Sequence, residues 1–308
     1  EVFGNQAPFY FDLSGKDVYQ TLSLGASCRI FEKKYFTFPM LLLKAMEETG
    51  VTAINWATSA FHLVAASGAL TKYAPTHLKK AALGGEALQA RYVNLWKAAV
   101  PGLQVVNMYG PTETTIDCAA MHLTREYRDD EPIPIGRACR NKQIILLKDD
   151  LTEAQPGEPG EICVRGPQVM QGYWNKPEET AAVLRDGWLR TGDVGHMDMN
   201  GSITITDRKK DMILVSGFNV YPNEVENVIA SMPGVLEVGV VGVPSAKSGE
   251  TVKAVIVRKD PALTADDVKK YCRTQLTGYK MPREIIFVDS LPKTAVGKIL
   301  RRELKDIQ

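Results

Sequence analysis

The order of β-rich and helical segments up to residue 109 constrains the fold of this chain more than any other feature. Residues 1–31 have the pattern strand, helix, strand. Three segments beyond residue 31 have the apolar spacing of helices: 39–49, 61–73 and 87–100. They alternate with three β-rich runs: Val51–Trp56, Lys80–Gly84 and Val105–Tyr109. Strands joined by crossover helices lie parallel, because antiparallel neighbours need only a short turn. The sequence therefore predicts an α/β fold in which helices cover a largely parallel sheet.

A different pattern begins at Pro132. Short β-rich runs then alternate with turns rich in glycine and proline: Gln143–Lys148, Glu161–Arg165 and Ser202–Thr206. Closely spaced runs of this kind are typical of antiparallel sheets. We therefore predict a first domain at residues 1–206, with an α/β part at 1–131 and a small antiparallel β subdomain at 132–206.

The charged run DRKKD at 207–211 marks the predicted domain boundary. Beyond it the chain alternates helical and β-rich segments: helices at 223–231 and 264–275, strands at 235–243, 251–259 and 281–288. Thr264 is predicted to cap the second helix, with Asp266 and Asp267 in the first turn, where the helix dipole favours anions. The pattern predicts a compact α+β domain at residues 207–308, a normal domain size.

Composition narrows the functional classes. The chain has 37 Lys and Arg against 36 Asp and Glu, which argues against binding of nucleic acid or a membrane surface through bulk charge. No apolar run approaches the ~18–20 residues that a transmembrane helix needs. The five cysteines are scattered without a CxxC pair, so we expect free thiols and a reducing, cytoplasmic compartment. The four histidines show no metal-ligand spacing.

The segment YGPTETT at 109–115 combines a tight turn with two polar side chains. Gly110 and Pro111 favour the turn. Thr112 offers a hydroxyl to a phosphate oxygen, and Glu113 offers a hard carboxylate that suits Mg²⁺. The alternative is a plain turn between a strand and a helix with an acidic first turn.

Two further segments have residue types that suit nucleotide binding. GGEAL at 84–88 follows a predicted strand, and its glycines allow close approach of the backbone to a ligand, although a plain βα turn is the alternative. WLRTGD at 188–193 ends in Asp193, and a carboxylate can accept hydrogen bonds from both hydroxyls of a ribose.

The run LPKTAVGKILRREL at 291–304 contains Lys298 directly after Gly297. A lysine carries a compact charge on a flexible stem and suits a reaction in which negative charge develops at phosphorus. Taken alone, a basic run of this kind is ordinarily a solvated face at the end of a helix.

Four of these segments together resemble the adenylate-forming (AMP-binding) superfamily in order and spacing: 109–115, 188–193, 207–226 and 291–304. That superfamily includes acyl-CoA synthetases, luciferases and the adenylation domains of peptide synthetases. The resemblance covers the chain from about residue 8 to the end. Residues 186–210 are similar to the signature segment of fatty-acyl-CoA synthetases, with Arg190 where many of them carry histidine.

The resemblance also implies an architecture. The chain looks like the C-terminal part of a large adenylate-forming domain followed by a small mobile α+β domain. The family's Ser/Thr/Gly-rich phosphate loop, which lies well upstream of the matched segments, is absent. The resemblance therefore implies the C-terminal portion of a longer enzyme.

The resemblance assigns roles to individual residues. Thr112 is expected to contact the nucleotide phosphate and Glu113 to hold the metal. The other residues expected to bind the nucleotide or line its pocket are Gly84, Gly85, Glu86, Tyr109, Gly110, Asp193 and Arg208. Asp207 is the expected hinge, Gly217 is expected to pass the pantetheine arm, and Lys298 is the expected catalytic lysine. A hairpin turn at Ser216–Gly217, leading into a helix capped by Asn223, is compatible with that role of Gly217.

One segment resembles a different branch of the superfamily. FYFDLSGKDVY at 9–19 is similar to the substrate-pocket motif of amino-acid-adenylating domains, in which an aspartate pairs with the substrate ammonium. The matching residue is Asp12, and Lys16 is expected either to pair with Asp12 or to reach a substrate carboxylate. The alternative is an Asp/Ser cap at the start of a helix.

The resemblance implies an ATP-dependent ligase that adenylates a carboxylate and then forms a thioester with CoA, with ATP, Mg²⁺ and CoA as cofactors. A fatty acid is the expected substrate. The first alternative is amino-acid adenylation for a phosphopantetheine carrier protein. The second is a truncated, non-catalytic fragment that binds a nucleotide or a partner.

Overall fold

The computed structural model describes residues 1–294 and 299–307. Contacts divide the chain into two units, the first comprising Glu1–Thr191 with His196–Thr204 and the second Gly192–Gly195 with Ile205–Gln308. Within the described part of the chain, no helix is both long enough and apolar enough to cross a bilayer.

A seven-stranded sheet forms the centre of the first unit. Its order is β2-β1-β3-β4-β5-β6-β7. The strands are β1 (Val2–Asn5), β2 (Ser27–Ile30), β3 (Ala53–Ala57), β4 (Lys80–Gly84), β5 (Gln104–Tyr109), β6 (Ala119–His122) and β7 (Arg137–Ala138). The first five are parallel, and β6 and β7 are antiparallel additions at one edge. The predicted parallel sheet is confirmed.

Helices follow the parallel strands: α1 (Ser14–Leu24), α2 (Lys33–Thr37), α3 (Pro39–Glu48), α4 (Thr58–Ala66) and α5 (Ala90–Ala99). All of them except the short α2 are predicted by the sequence pattern. Large aromatic side chains form the core beside the sheet. The rings of Phe61 and Trp96 stack at 4.8 Å, and Trp56 Nε1 donates a 2.7 Å hydrogen bond to the carbonyl of Gly4. Both polar indole groups are therefore satisfied inside the core, since Trp96 Nε1 donates to the carbonyl of Phe61.

One predicted helix is shorter than expected. The pattern at 61–73 suggested one continuous helix, but α4 ends at Ala66 and a separate 3₁₀ helix occupies Ala69–Thr71. Gly68 lies between them with φ +73°. That left-handed conformation ends an α-helix and is readily adopted by glycine.

A separate, antiparallel sheet follows β7 along the chain, as predicted from the runs after Pro132. Strand β8 (Gln143–Leu147) pairs antiparallel with β9 (Pro159–Arg165), and β10 (Leu184–Arg185) pairs antiparallel with β11 (Trp188–Met197). The sheet order is β10-β11-β9-β8, with β12 (Ile203–Arg208) beside β11. A short helix, α6 (Pro177–Val183), precedes β10.

The second unit contains a separate five-stranded sheet of order β14-β13-β16-β15, with β17 parallel to β16. Its elements are β13 (Ile213–Val215), β14 (Phe218–Val220), α7 (Pro222–Ala230), β15 (Val235–Ser245), β16 (Gly249–Arg258), α8 (Ala265–Gln275), β17 (Glu284–Val288) and α9 (Arg301–Leu304). Val225 and Ile229 of α7 and Val268 and Cys272 of α8 are buried in its apolar core. The unit has its own core and mixes α and β elements, as the pattern predicted.

Two predicted helix starts have different outcomes. Thr264 caps α8 as predicted, and its side chain and that of Asp267 form a reciprocal capping box. Asn223 does not cap α7, because Tyr221 is the N-cap residue and Pro222 occupies the first turn. Proline favours that position since its fixed φ fits a helix and its missing N–H needs no partner there.

Candidate active site

The YGPTETT segment forms a tight turn at the carboxyl end of β5. A Cβ atom on Gly110 would lie 2.5 Å from the carbonyl oxygen of Ile116, so only glycine fits there. The chain then forms a 3₁₀ helix at Thr112–Thr114 and returns through Thr115 and Ile116, both with positive φ. The turn leaves Thr112 exposed and Glu113 half-buried at the edge of the sheet.

Gly84 lies beside this turn because β4 and β5 are neighbouring parallel strands. A Cβ atom on Gly84 would lie 3.0 Å from the carbonyl oxygen of Met108, and the carbonyl of Gly84 accepts a hydrogen bond from Thr58 Oγ1. Gly85 has φ +98° and is exposed, and Glu86 is half-buried. Parallel α/β sheets bind ligands outside the carboxyl ends of their strands, which is where both predicted glycine turns lie.

Asp12 lies next to the same turn. Thr112 Oγ1 donates a hydrogen bond of 2.7 Å to Asp12 Oδ2. Asp12 is not the cap of α1, because Leu13 is the N-cap residue and no side chain caps that helix. The capping alternative for Asp12 is therefore wrong, and a predicted substrate residue contacts a predicted nucleotide residue.

Lys16 pairs with a residue that the sequence did not suggest. Its Nζ lies 2.7 Å from Asp117 Oδ2, and the two side chains are 8% and 14% exposed. Lys16 Nζ also lies 3.6 Å from Met108 Sδ. The expected pairing of Lys16 with Asp12 is wrong, since Lys16 is buried against Asp117 in the segment between Glu113 and β6. Separating two buried, paired charges is unfavourable, because each would be left uncompensated. The pair therefore holds α1, which carries Lys16, next to the segment that carries Asp117.

Glu113 is held by a tyrosine that sequence reasoning missed. Tyr173 Oη donates a hydrogen bond of 2.7 Å to Glu113 Oε1, and the backbone N–H of Met170 donates to the carbonyl of Glu113. The hydrogen bond to the carboxylate, with a smaller effect of burial, raises the pKa of the Tyr173 phenol to about 12. Tyr173 stands sixty residues along the chain from Glu113, and no local pattern marks it as a partner.

In the second unit, Asp193 and Arg208 are brought together as the sequence suggested. Arg208 Nε lies 3.2 Å from Asp193 Oδ1, and the Asp193 side chain is 8% exposed whereas that of Arg208 is 41% exposed. The backbone N–H of Lys209 donates to the carbonyl of Gly192, which fixes the two segments next to each other. A carboxylate held in this way can accept hydrogen bonds from a sugar diol.

The predicted hinge residue, Asp207, is completely buried at the end of β12. Its carboxylate accepts 2.7 Å hydrogen bonds from the backbone N–H groups of Arg208 and Asn223. The guanidinium of Arg301 lies 3.8 Å away. Burial outweighs these favourable contacts and raises the pKa of Asp207 to about 6.

Arg301 is a further residue that sequence reasoning missed. Besides its contact with Asp207, it forms ion pairs with Asp211 at 3.3 Å and Glu226 at 2.7 Å. The ordinary interpretation of its basic run as a solvated face does not hold for this arginine, whose side chain is 22% exposed. The only local signal is the basic run itself, which does not reveal the three carboxylates.

Gly217 lies in the turn between β13 and β14. Ser216 has φ +50° and Gly217 has φ +84°, a pair of positive angles typical of a two-residue hairpin turn. Apart from its two chain neighbours, none of the residues that the structure describes has an atom within 4 Å of the position of a Cβ on Gly217. The hairpin interpretation is confirmed. Lys298, the expected catalytic lysine, lies outside the described residues.

Comparison with known proteins identifies the family. A family model described as AMP-binding enzyme matches residues 1–174, more than half of the chain. The chain belongs to the AMP-binding enzyme family. A second model, AMP-binding enzyme C-terminal domain, matches residues 224–298 of the same chain. Both matches confirm the family inferred from the motifs.

Several curated relatives of the chain are named long-chain-fatty-acid–CoA ligase. A long-chain-fatty-acid–CoA ligase of Escherichia coli O157:H7 is 45% identical over 266 residues, which is 86% of this chain and 46% of that protein. The chain spans about half the length of the curated relatives it matches.

Solved structures of AMP-binding enzymes confirm the fold class. The amide bond synthetase from Marinactinospora thermotolerans superposes with a TM-score of 0.88 at 31% identity, over 99% of this chain and 62% of that one. The o-succinylbenzoate coenzyme A synthetase from Bacillus subtilis, in complex with ATP and a magnesium ion, gives a TM-score of 0.84 at 26% identity, with 99% and 62% coverage.

Proposed function

We propose that the full-length protein containing this chain is an AMP-forming acid–thiol ligase of the acyl-CoA synthetase type, with a fatty acid as its carboxylate substrate and CoA as its thiol. The observation that carries this proposal is the 45% identity, over 86% of the chain, to a protein named long-chain-fatty-acid–CoA ligase.

The free thiols of the five cysteines support the predicted cytoplasmic location.

In the first half-reaction, a carboxylate oxygen of the substrate attacks the α-phosphorus of ATP, and the bond to pyrophosphate breaks. We assign Thr112 to a phosphate oxygen, because its exposed hydroxyl lies at the carboxyl end of the sheet. We assign Tyr109 and the Gly84–Glu86 turn to the adenine and acyl pocket, since β4 and β5 end side by side. Lys298, known here only from its place in the sequence, is assigned to the charge that develops at phosphorus.

The residues present fit a magnesium ion that arrives with the nucleotide. Among residues 1–294 and 299–307, no group of three or more His, Cys, Asp or Glu side chains could hold a metal. Mg²⁺ does not require one, since it commonly binds through one or two carboxylates together with substrate phosphates. Glu113 supplies one carboxylate on a turn fixed by backbone hydrogen bonds. When bound, Mg²⁺ neutralises charge on the phosphates.

The second unit carries the remaining assignments. We propose that Asp193 accepts hydrogen bonds from the ribose hydroxyls and that Arg208, its partner at 3.2 Å, orients it. In the second half-reaction the thiol sulfur attacks the acyl carbonyl carbon, AMP leaves, and the thiol proton passes to solvent. Asp207 is proposed as the hinge and Gly217 as the point where the pantetheine arm passes, because the described part of the chain, its two neighbours aside, leaves the space beside Gly217 open.

One observation favours the amino-acid alternative. The Asp12 carboxylate accepts a hydrogen bond from Thr112, which we assign to a phosphate oxygen, and it does not cap α1. A carboxylate there could pair with a substrate ammonium, which would make the protein an amino-acid-adenylating enzyme that loads a phosphopantetheine carrier protein.

Pyrophosphate exchange on the full-length protein separates these candidates. Long-chain fatty acids and the twenty amino acids are supplied side by side with Mg·ATP and labelled pyrophosphate. Label entering ATP only with fatty acids supports the proposal, and label entering only with an amino acid supports the alternative. No exchange with any carboxylate, together with retained ATP binding, overturns both and leaves a non-catalytic binding role.

A further inference from the structure

Three hydrogen bonds tie the segment Gln168–Tyr173 to the turn that carries Glu113. Thr115 Oγ1 donates to the carbonyl of Gln168 at 2.8 Å, and the N–H of Met170 donates to the carbonyl of Glu113 at 2.8 Å. Tyr173 Oη then donates to Glu113 Oε1 at 2.7 Å. The first bond holds the side chain of Thr115, the second holds the backbone of the turn at Glu113, and the third acts on the Glu113 carboxylate itself.

Tyr173 is itself fixed before it reaches Glu113. Its backbone N–H donates a 2.9 Å hydrogen bond to Thr180 Oγ1, and Thr180 Oγ1 donates to the carbonyl of Lys176 at the start of α6. The same threonine packs against Gly172, where a Cβ atom would lie 2.9 Å from Thr180 Cγ2. Thr180 therefore fixes the backbone at Gly172 and Tyr173, which restricts the directions in which the Tyr173 phenol can point.

A half-buried glutamate on a short turn otherwise samples several side-chain rotamers. We propose that Tyr173 is a positioning residue: its hydrogen bond to Oε1 orients the Glu113 carboxylate toward a divalent metal bound with the nucleotide. This inference rests on the proposed function, in which Glu113 holds that metal. It adds a residue that acts through Glu113 and does not itself touch the metal.

The chemistry of the phenol suits this role. Hydrogen-bond partners of metal-ligating side chains commonly change metal affinity by about 10–100-fold when they are removed. A tyrosine phenol carries its proton at neutral pH and can therefore donate to the carboxylate. A neutral phenol does not replace the carboxylate as a ligand for a hard cation, and it leaves the charge of Glu113 intact.

The test compares Tyr173→Phe and Glu113→Gln with Tyr19→Phe, a matched control at a side chain that is 74% exposed. Mn²⁺ binding to the full-length protein with a non-hydrolysable ATP analogue is measured by electron paramagnetic resonance. We expect Tyr173→Phe to weaken Mn²⁺ binding by about tenfold. The Mg²⁺ concentration for half-maximal pyrophosphate exchange should rise by the same factor, while the exchange rate at saturating Mg²⁺ and the thermal unfolding temperature stay close to wild type.

The two possible failures are distinguishable. If Glu113→Gln weakens Mn²⁺ binding and Tyr173→Phe does not, Glu113 holds the metal without help and the positioning role is overturned. If Tyr173→Phe lowers the exchange rate equally at all Mg²⁺ concentrations, the phenol has a structural role and the inference is again overturned. If Glu113→Gln itself leaves Mn²⁺ binding unchanged, the metal assignment in the proposed function is wrong.

Discussion

Asp207 shows how burial and pairing compete at a single carboxylate. Two backbone N–H groups and Arg301 favour its charged form, whereas complete burial favours the neutral form. Arg301 also pairs with Asp211 and Glu226, so its single positive charge is shared among three carboxylates and offsets the charge of Asp207 only in part. The raised pKa of about 6 shows that burial has the larger effect.

This shift predicts a pH-dependent contribution to stability. The pKa of Asp207 is about 6 in the folded protein, above the ordinary value of 3.8, so the folded state holds the proton more tightly than the unfolded state. Its contribution is fully present below pH 3.8 and is lost as the pH rises through 6. At a rate of about 1.4 kcal/mol per pKa unit, the loss amounts to at most about 3 kcal/mol.

Urea unfolding of wild type and Asp207→Asn between pH 4 and pH 7 measures this contribution. As the pH rises across this window, the unfolding free energy of wild type should fall relative to that of Asp207→Asn. The exposed control Asp289→Asn should follow wild type. A constant difference between wild type and Asp207→Asn would show that Asp207 does not titrate in this range.

Asp12 gives a second prediction at the residue scale. If the substrate is a fatty acid, Asp12→Ala should change kcat/KM for it by less than about tenfold, because the exposed Thr112 hydroxyl that loses its partner can bond to water. If the substrate is an amino acid, the same change should abolish turnover, since it removes the partner of a bound ammonium. Steady-state kinetics with both substrate classes decide, with Asp289→Ala as the exposed control.

At the scale of elements, α8 depends on the cap at its first turn. Thr264 Oγ1 accepts a hydrogen bond from the N–H of Asp267, and Asp267 Oδ2 accepts one from the N–H of Thr264. These bonds satisfy backbone groups that have no partner within the helix. The adjoining face buries Val268 and Cys272 in the core of the second unit, so loosening the cap affects packing that stabilises the whole unit.

Thr264→Ala should therefore lower the free energy of unfolding by about 1 kcal/mol. Thr274→Ala, near the other end of α8, is the matched control, because its hydroxyl only donates to the carbonyl of Tyr271 and fills no capping position. Chemical denaturation of both variants tests the difference. Equal losses in the two variants would mean that threonine packing rather than capping stabilises the helix.

At the scale of the whole molecule, the chain after β12 offers a site for proteolysis. The sequence predicts a domain boundary at the charged run 207–211, but Asp207 is completely buried within a strand. Lys209 and Lys210 are exposed in the turn that follows. Exposed turns next to a domain boundary are preferred sites of nicking, so the sensitive bonds are expected one turn beyond the predicted hinge.

Brief trypsin treatment should cleave first after Lys209 or Lys210, and mass spectrometry of the fragments locates the cut. Lys209→Gln combined with Lys210→Gln should remove this cut and leave slower cuts elsewhere unchanged. First cleavage at another lysine, such as the exposed Lys247, would contradict the proposed boundary at residue 207.

The sequence by itself determined the elements and the family. Strand and helix patterns up to residue 109 depend on neighbours a few residues apart, so they predicted the parallel sheet and its crossover helices. The YGPTETT turn and the Ser216–Gly217 hairpin also depend on residues that are close together in the sequence, so both could be predicted. The helix at 61–73 was overestimated because apolar spacing continues past Gly68, whereas the backbone there turns left-handed.

Only the tertiary structure decided which side chains meet. Thr112 and Asp12 stand one hundred residues apart, and Glu113 and Tyr173 sixty, yet each pair shares a hydrogen bond of 2.7 Å. Such contacts depend on the order of the strands in a sheet and on the return path of the chain. The partners of Lys16 and Arg301 were missed for the same reason, because a charge pattern along the chain does not state which distant carboxylate is buried beside it.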